Sequence, residues 1–166
     1  MLKSIKSLFS SKKALAEVSG IYLGNERYLR VVPQPLNQPE FVSGISGVAT
    51  NFQMASRYGT IGLIAHNYLS GRYFLEAKKG DIIHILDGYG RSRPYRVTTI
   101  RKFQALEPRN PRSRFLDLET CQTSSASEVF KEIYTGKPHL VLQTCIARGH
   151  IHEWGRQFVI AEVANP

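Results

Sequence analysis

The sequence predicts a mainly β protein, a small closed or nearly closed β-barrel with one or two short helices. Short runs rich in branched and aromatic residues recur along the chain, and glycine-containing turns separate several of them. A single internal segment has the periodicity of a helix. The length of 166 residues suits one domain with a real core, and the composition, 42% hydrophobic and 21% charged, is that of an ordinary globular protein.

Residues 1–19 are predicted to form a basic amphipathic helix. Leu2, Ile5, Leu8 and Phe9 recur at helical spacing with lysines between them. Such a helix either packs on the domain or makes a peripheral contact with an anionic membrane, and both interpretations stay open. The apolar run that a signal peptide or a transmembrane segment requires does not occur in this sequence.

Residues 20–166 are predicted to form the barrel as one domain. Two hairpins are expected in it, one around Gly24 and one around Asp87–Gly90, because turn residues separate two apolar runs in each case. The internal helix is expected at 124–134, where serines precede an apolar stripe and a glycine and a proline follow it. The predicted strands cover 21–23, 28–32, 59–66, 81–86, 94–100, 140–145 and 157–161.

Three polar side chains mark the ends of predicted strands. His66 ends one apolar run, Cys145 ends another, and Arg156 stands at the entrance of the last strand. Cys145 and Arg156 are therefore expected to face each other across neighbouring strands. A nucleophilic thiol needs a partner that handles protons, and this partner need not be close in sequence, so His66 completes a candidate catalytic set.

The three segments in this order resemble the sortase family of cysteine transpeptidases. Ile64-Ala-His66 is similar to the family's strand ending in histidine, Leu142-Gln-Thr-Cys145 to its Leu-x-Thr-Cys motif, and Arg156 to the arginine that precedes its last apolar strand. The resemblance implies a mostly antiparallel eight-stranded barrel with the active site at one edge. It also implies the extracytoplasmic face of the membrane, although the usual sortase carries an N-terminal membrane segment that this sequence does not show.

The resemblance further implies a reaction. A sortase cleaves a short sorting motif such as Leu-Pro-x-Thr-Gly in a substrate protein, forms a thioacyl intermediate, and transfers the acyl group to an amine of the cell-wall or pilin type, which anchors surface proteins. Transfer to water instead would be the reaction of a thiol protease. In this scheme Cys145 is the nucleophile, His66 the general acid and then the base for the amine, and Arg156 the donor to the oxyanion.

Three further residues are predicted to contact substrate. Arg148, in a predicted loop three residues after the cysteine, competes with Arg156 for the oxyanion. Thr144 belongs to the motif that helps bind substrate or oxyanion in the family, although strand alternation points it away from the side of Cys145. Asn67, next to His66, is expected to orient the imidazole or the peptide.

The net charge and the motifs limit which partners and cofactors are expected. The net charge of +9 indicates an anionic surface or polymer as a partner, but no nucleic-acid recognition motif accompanies it. No phosphate-binding or dinucleotide motif occurs, so no cofactor is expected. Acidic residues form no dense cluster either, and activity is predicted to be independent of metal.

Two other functions remain as alternatives. If their segment is extended, His150 and His152 place two imidazoles on one face, and Cys145 or His139 would complete a zinc site. A non-catalytic barrel that binds a peptide or a polyanion through its arginines is the other alternative. A disulfide between Cys121 and Cys145 would silence the thiol, but two cysteines are too few for a disulfide-built scaffold.

Overall fold

The computed structural model describes residues 17–165 of the protein. Residues 1–16 of the predicted N-terminal helix lie outside the described residues. The first strand begins at Val18, within the last part of the predicted helix. The elements in chain order are β1 (Val18–Leu23), β2 (Arg27–Pro33), β3 (Val48–Asn51), α1 (Gln53–Ser56), β4 (Ile61–Ile64), α2 (Arg72–Leu75), β5 (Ile82–Asp87), β6 (Ser92–Ala105), β7 (Phe115–Asp117), β8 (Thr123–Ser124), α3 (Ala126–Tyr134), β9 (Leu140–Arg148) and β10 (Ile151–Val163).

Eight of these strands close a barrel. Their order around it is β1, β5, β6, β10, β9, β4, β3 and β2, with β2 paired to β1 again. The β2–β3 and β4–β9 pairs are parallel, and the other pairs in the ring are antiparallel. The short strands β7 and β8 extend the sheet from the second half of β6. The prediction of a closed, mostly antiparallel eight-stranded barrel is thereby confirmed.

Within residues 17–165 there are three short helices, where the sequence predicted one or two over the whole chain. The internal helix α3 begins where expected, because Ser125 and Glu128 form a reciprocal capping box at its N-terminus. Helices α1 and α2 have four residues each, which is too short for an apolar period to appear in the sequence. No helix in the described range is long and apolar enough to cross a membrane.

Alternate residues of β9 and β10 pack into two different apolar clusters. Leu140, Leu142 and Val159 pack inside the barrel, whereas Val141 and Phe158 pack outside it in a second cluster that includes residues of α3. Because side chains alternate along a strand, Cys145 shares its face with Val141, and Arg156 shares its face with Phe158. Both side chains therefore lie on the outer face of the barrel, on the side that α3 covers.

An ionic contact holds the outer layer together. The Arg101 guanidinium of β6 lies 2.6 Å from the Asp117 carboxylate of β7 and also pairs with Glu132 of α3. Burial by itself would raise the pKa of Asp117, but hydrogen bonds from backbone N–H groups and from Arg101 hold it below its usual range. The contact fixes α3 and β7 against the barrel, and both elements form walls of the groove described next.

Candidate active site

Cys145 and Arg156 are direct partners in the antiparallel β9–β10 pair. Residues opposite each other in such a pair have Cβ atoms about 5 Å apart, so thiol and guanidinium occupy one small region of the outer face. The expected juxtaposition of these two residues across neighbouring strands is observed.

The strand boundaries around this pair differ from the prediction. Cys145 lies within β9, which continues to Arg148, and Arg156 lies within β10, which begins at Ile151. The sequence placed a loop here because Gly149 and the polar residues beside it interrupt the apolar pattern. In the structure they form the exposed tip of a long hairpin, where Gly149 has a positive φ of 58° and pairing does not depend on apolar side chains.

His66 follows β4, and its backbone is held by a compact loop. The carbonyl of His66 accepts hydrogen bonds from the N–H groups of Leu69 and Gly71, at 3.0 and 2.9 Å. The hydroxyl of Thr144 donates to the carbonyl of Ala65 at 2.8 Å. A Cβ at position 71 would lie 2.2 Å from the Thr144 Oγ1 atom, so only glycine lets the loop approach this closely. The loop thus ties the histidine segment to the cysteine strand.

The ring of His66 is held by an aromatic contact. It stacks on Tyr68 with ring centroids 5.1 Å apart and an interplanar angle of 19°. Tyr68 meets the ring of His152 edge-on at 6.3 Å, and the Asn67 amide donates to the His152 carbonyl at 2.9 Å. His66 forms no hydrogen bond with Cys145 or Arg156 among the described residues, so the imidazole and the thiol share a groove without a direct hydrogen bond.

Some of the N–H groups of the Arg156 guanidinium donate hydrogen bonds to backbone carbonyls. Its Nη1 donates to the carbonyls of Glu153 and Gly155, both at 2.9 Å, and Nη2 reaches the carbonyl of Pro108 at 3.5 Å. Within residues 17–165 the Nε–H and the second Nη2–H donate to no protein group. A fixed guanidinium with remaining donors suits an oxygen that acquires negative charge beside Cys145.

Burial and two neighbouring charges act on the thiol of Cys145. Burial raises the pKa of Cys145, the guanidinium of Arg156 lowers it, and the carboxylate of Glu153 raises it, with a net increase. The neutral thiol therefore dominates near neutral pH, and Arg156 is the group that favours the reactive thiolate.

His66, Cys145 and Arg156 line one groove of about 530 Å³ on the outer face. Thr144 and Glu153 also border it. Its apolar lining comes from α3, β7, β10 and the segments around α1 and after β2, and includes Phe52, Val129, Phe130, Phe115, Phe158 and Tyr134. Its dimensions and mixed lining fit an extended peptide of a few residues.

The three residues predicted to contact substrate differ in their position relative to the groove. Thr144 borders the groove but is buried, and its hydroxyl donates to the Ala65 carbonyl. Arg148 is exposed and lies over the Trp154 ring, 5.0 Å from its centroid, and does not border the groove. Asn67 contacts the backbone of His152 and likewise does not border the groove.

The residues of the zinc alternative are dispersed. Both ring nitrogens of His139 lie 2.7 Å from backbone carbonyls, those of Lys137 and Ile133, and the ring is buried. His150 and His152 lie at the tip of the β9–β10 hairpin. Within residues 17–165 no three His, Cys, Asp or Glu side chains come together as a metal site would require. Both cysteines are free, so the Cys121–Cys145 disulfide is absent.

Solved structures have a similar fold over most of the chain. Sortase A of Listeria monocytogenes matches with a TM-score of 0.54 at 15% identity, over 89% of this chain and 88% of that one. Sortase C-1 of Actinomyces oris matches with a TM-score of 0.59 at 14% identity, over 95% of this chain and 80% of that one. The chain has the sortase fold.

A third similar structure was solved with a sorting motif. Clostridium perfringens sortase C, solved with the C-terminal cell wall sorting motif, matches with a TM-score of 0.53 at 15% identity, over 90% of this chain and 72% of that one. No protein-family model matches the sequence. No curated protein matches it either.

Sequence reasoning missed two features of the site. Glu153 stands three residues before Arg156, but its proximity to the thiol depends on how the two strands pair, which no local signal encodes. Tyr68 is the second, since its stacking on His66 requires the turn that follows β4. The contribution of α3 to the groove could be found from the sequence, because its apolar stripe indicates a helix that packs on the domain.

Proposed function

We propose that this protein is a sortase-like cysteine transpeptidase. The observation that carries the proposal is the direct cross-strand pairing of Cys145 with Arg156 in a groove that His66 also lines. A thiol, a titratable imidazole and a fixed cation are the groups that acyl transfer from an amide requires. The sortase fold of the chain also supports the proposal.

In the first half of the reaction, the thiolate of Cys145 attacks the carbonyl carbon of the scissile amide. A carbon–sulfur bond forms, and the negative charge that develops on the oxygen is stabilised by the remaining N–H donors of Arg156. The carbon–nitrogen bond then breaks as His66 gives a proton to the leaving amine. The products are a thioacyl enzyme and the released C-terminal fragment.

In the second half, an amine attacks the thioester carbon and gives its proton to His66. The carbon–sulfur bond breaks, a new amide leaves, and the thiolate of Cys145 is restored. Water competes with the amine for the same acyl group, so the ratio of aminolysis to hydrolysis separates a transpeptidase from a thiol protease. The substrate is a protein carrying a short sorting motif, and the apolar side chains lining the groove favour apolar residues of that motif.

The test is detection of the thioacyl enzyme by intact-mass spectrometry. The protein is incubated with a pooled library of Leu-Pro-x-Thr-Gly-like peptides, with and without an added amine. Wild type is expected to form an adduct that the amine converts to an amide product, and Cys145→Ala to form none. Cys121→Ser is the matched control, because it removes the other thiol, which is exposed and does not border the groove.

Two outcomes would contradict the proposal. An adduct that forms equally on Cys145→Ala would place the chemistry at another residue. Peptide binding that gives no adduct and persists in Cys145→Ala would favour the non-catalytic peptide-binding barrel.

A further inference from the structure

A second cleft adjoins the catalytic groove. It has a volume of about 740 Å³ and lies between the β9–β10 hairpin and the loop from β6 to β7. The two concavities share Pro108, Arg109 and Glu153, so Glu153 stands at their junction. A peptide acyl group bound in the groove would leave this cleft as a separate approach to Cys145.

A local irregularity in the hairpin sets the place of Glu153. Ile151 pairs with Arg148 and Gly155 pairs with Ile146, so three residues of β10 stand opposite the single residue Ala147 of β9. Bulges of this kind re-aim side chains and are frequent beside active sites. Glu153 is the middle residue of the three, and its carbonyl also anchors the Arg156 guanidinium.

The carboxylate of Glu153 opposes the first half of the proposed reaction. It raises the pKa of Cys145, whereas formation of the thiolate calls for the opposite shift. The same negative charge would favour the second half, in which an amine that is protonated in solution must reach the thioester. Glu107 adds a second carboxylate to the lining of the cleft, and Arg109 is the permanently charged cation there.

We propose that this second cleft is the binding site of the acceptor, and that Glu153 recognises the acceptor's primary ammonium group at the junction with the catalytic groove. The inference rests on the proposed transpeptidase function. The ammonium is held beside the carboxylate and loses one proton to solvent. The neutral amine then attacks the thioester carbon and gives a second proton to His66 as the carbon–sulfur bond breaks. Glu153 acts as a binding residue for the second substrate and takes no part in bond making.

The first experiment compares two alkylating reagents on Cys145 in the Cys121→Ser protein. One reagent is 2-bromoethylamine, a primary ammonium, and the other is the neutral iodoacetamide. Both require the same thiolate, so the ratio of their rates cancels any change in the pKa of Cys145. Glu153→Gln is expected to lower the ratio of the 2-bromoethylamine rate to the iodoacetamide rate by about threefold. A change of this size corresponds to the small free energy of an exposed charge pair. Glu162→Gln, an exposed carboxylate on the same strand outside the cleft, is expected to leave the ratio unchanged.

The second experiment measures acyl transfer to two nucleophiles. Glycinamide is largely a cation near neutral pH, and hydroxylamine is uncharged. Glu153→Gln is expected to raise the KM for glycinamide by about threefold relative to that for hydroxylamine, and Glu153→Asp to restore part of the difference.

The alkylation ratio decides the inference even if no peptide is turned over. An unchanged ratio in Glu153→Gln, or an equal fall in Glu162→Gln, would overturn the acceptor site whatever the transfer assay shows. Absence of any acyl transfer in wild type would overturn the proposed function instead, and the two failures are therefore distinguishable.

Discussion

Cys145 and Arg156 face each other directly across the β9–β10 pair, on the outer surface of a closed barrel. Because the two residues are partners in a hydrogen-bonded ladder, both backbones are fixed at once, and the relative position of thiol and guanidinium does not depend on a loop. The Arg156 side chain is further held by three backbone carbonyls. The pair is thus organised before any substrate binds.

Arg156→Ala is expected to lower the rate of thioacyl formation by about a hundredfold, because removal of an oxyanion donor typically costs two to three orders of magnitude. Arg148→Ala is the matched control, since this arginine lies over Trp154 and does not border the groove. The measurement is adduct formation in single-turnover assays with the peptide that the library selects. Equal losses in both variants would show that general positive charge, and not the position of Arg156, matters.

The reactivity of Cys145 toward iodoacetamide is expected to rise with pH, with a midpoint above the ordinary pKa of a thiol. Burial favours the neutral form, so the thiolate accumulates only as the pH passes through this raised pKa. Arg156→Gln is expected to move the midpoint upward, because a stabilising positive charge is lost. Glu153→Gln is expected to move it downward, because a repelling negative charge is lost. A rate against pH curve for each protein in the Cys121→Ser background gives the three midpoints.

Thr144→Val is expected to lower kcat by about tenfold with little change in KM. The hydroxyl that ties Ala65 to the cysteine strand would be lost, and small displacements of a catalytic side chain cost orders of magnitude in rate. The free energy of unfolding should fall by about 1 kcal/mol, since the carbonyl of Ala65 is left without its partner.

The control for Thr144 is Thr98→Val, which removes a hydroxyl bond to the Ile160 carbonyl away from the groove. Chemical denaturation should show a loss of stability in both variants, whereas activity should fall only in Thr144→Val. A kcat that falls equally in both would mean that stability alone explains the effect.

Tyr68→Ala is expected to reduce kcat by about threefold, and Tyr68→Phe to retain it. The ring of Tyr68 stacks on His66, and such aromatic contacts stabilise a fixed orientation of the imidazole that must protonate the leaving amine. Rescue by phenylalanine separates the stacking from the hydroxyl. If Tyr68→Phe were as slow as Tyr68→Ala, the hydroxyl and not the ring face would be the important group.

Much of the barrel could be predicted from local pattern. The runs 21–23 and 28–32 fall within β1 and β2, and the capping box of α3 appears in the sequence as Ser125 followed by Glu128. These signals are local, because side-chain alternation and capping act between near neighbours. The hairpin tip at Gly149 was interpreted as a loop for the same reason, since its pairing depends on β10 and not on its own residues.

The sequence by itself determined which functional groups are available and their order along the chain: a histidine, a thiol and an arginine, each beside an apolar strand. Tertiary structure alone decided their surroundings. Barrel closure placed the pair on the outer face under α3, and the irregular pairing opposite Ala147 brought Glu153 to the junction of two clefts. Residue types encode what a side chain can do, whereas strand register and bulges, which depend on partners distant in sequence, determine what it meets.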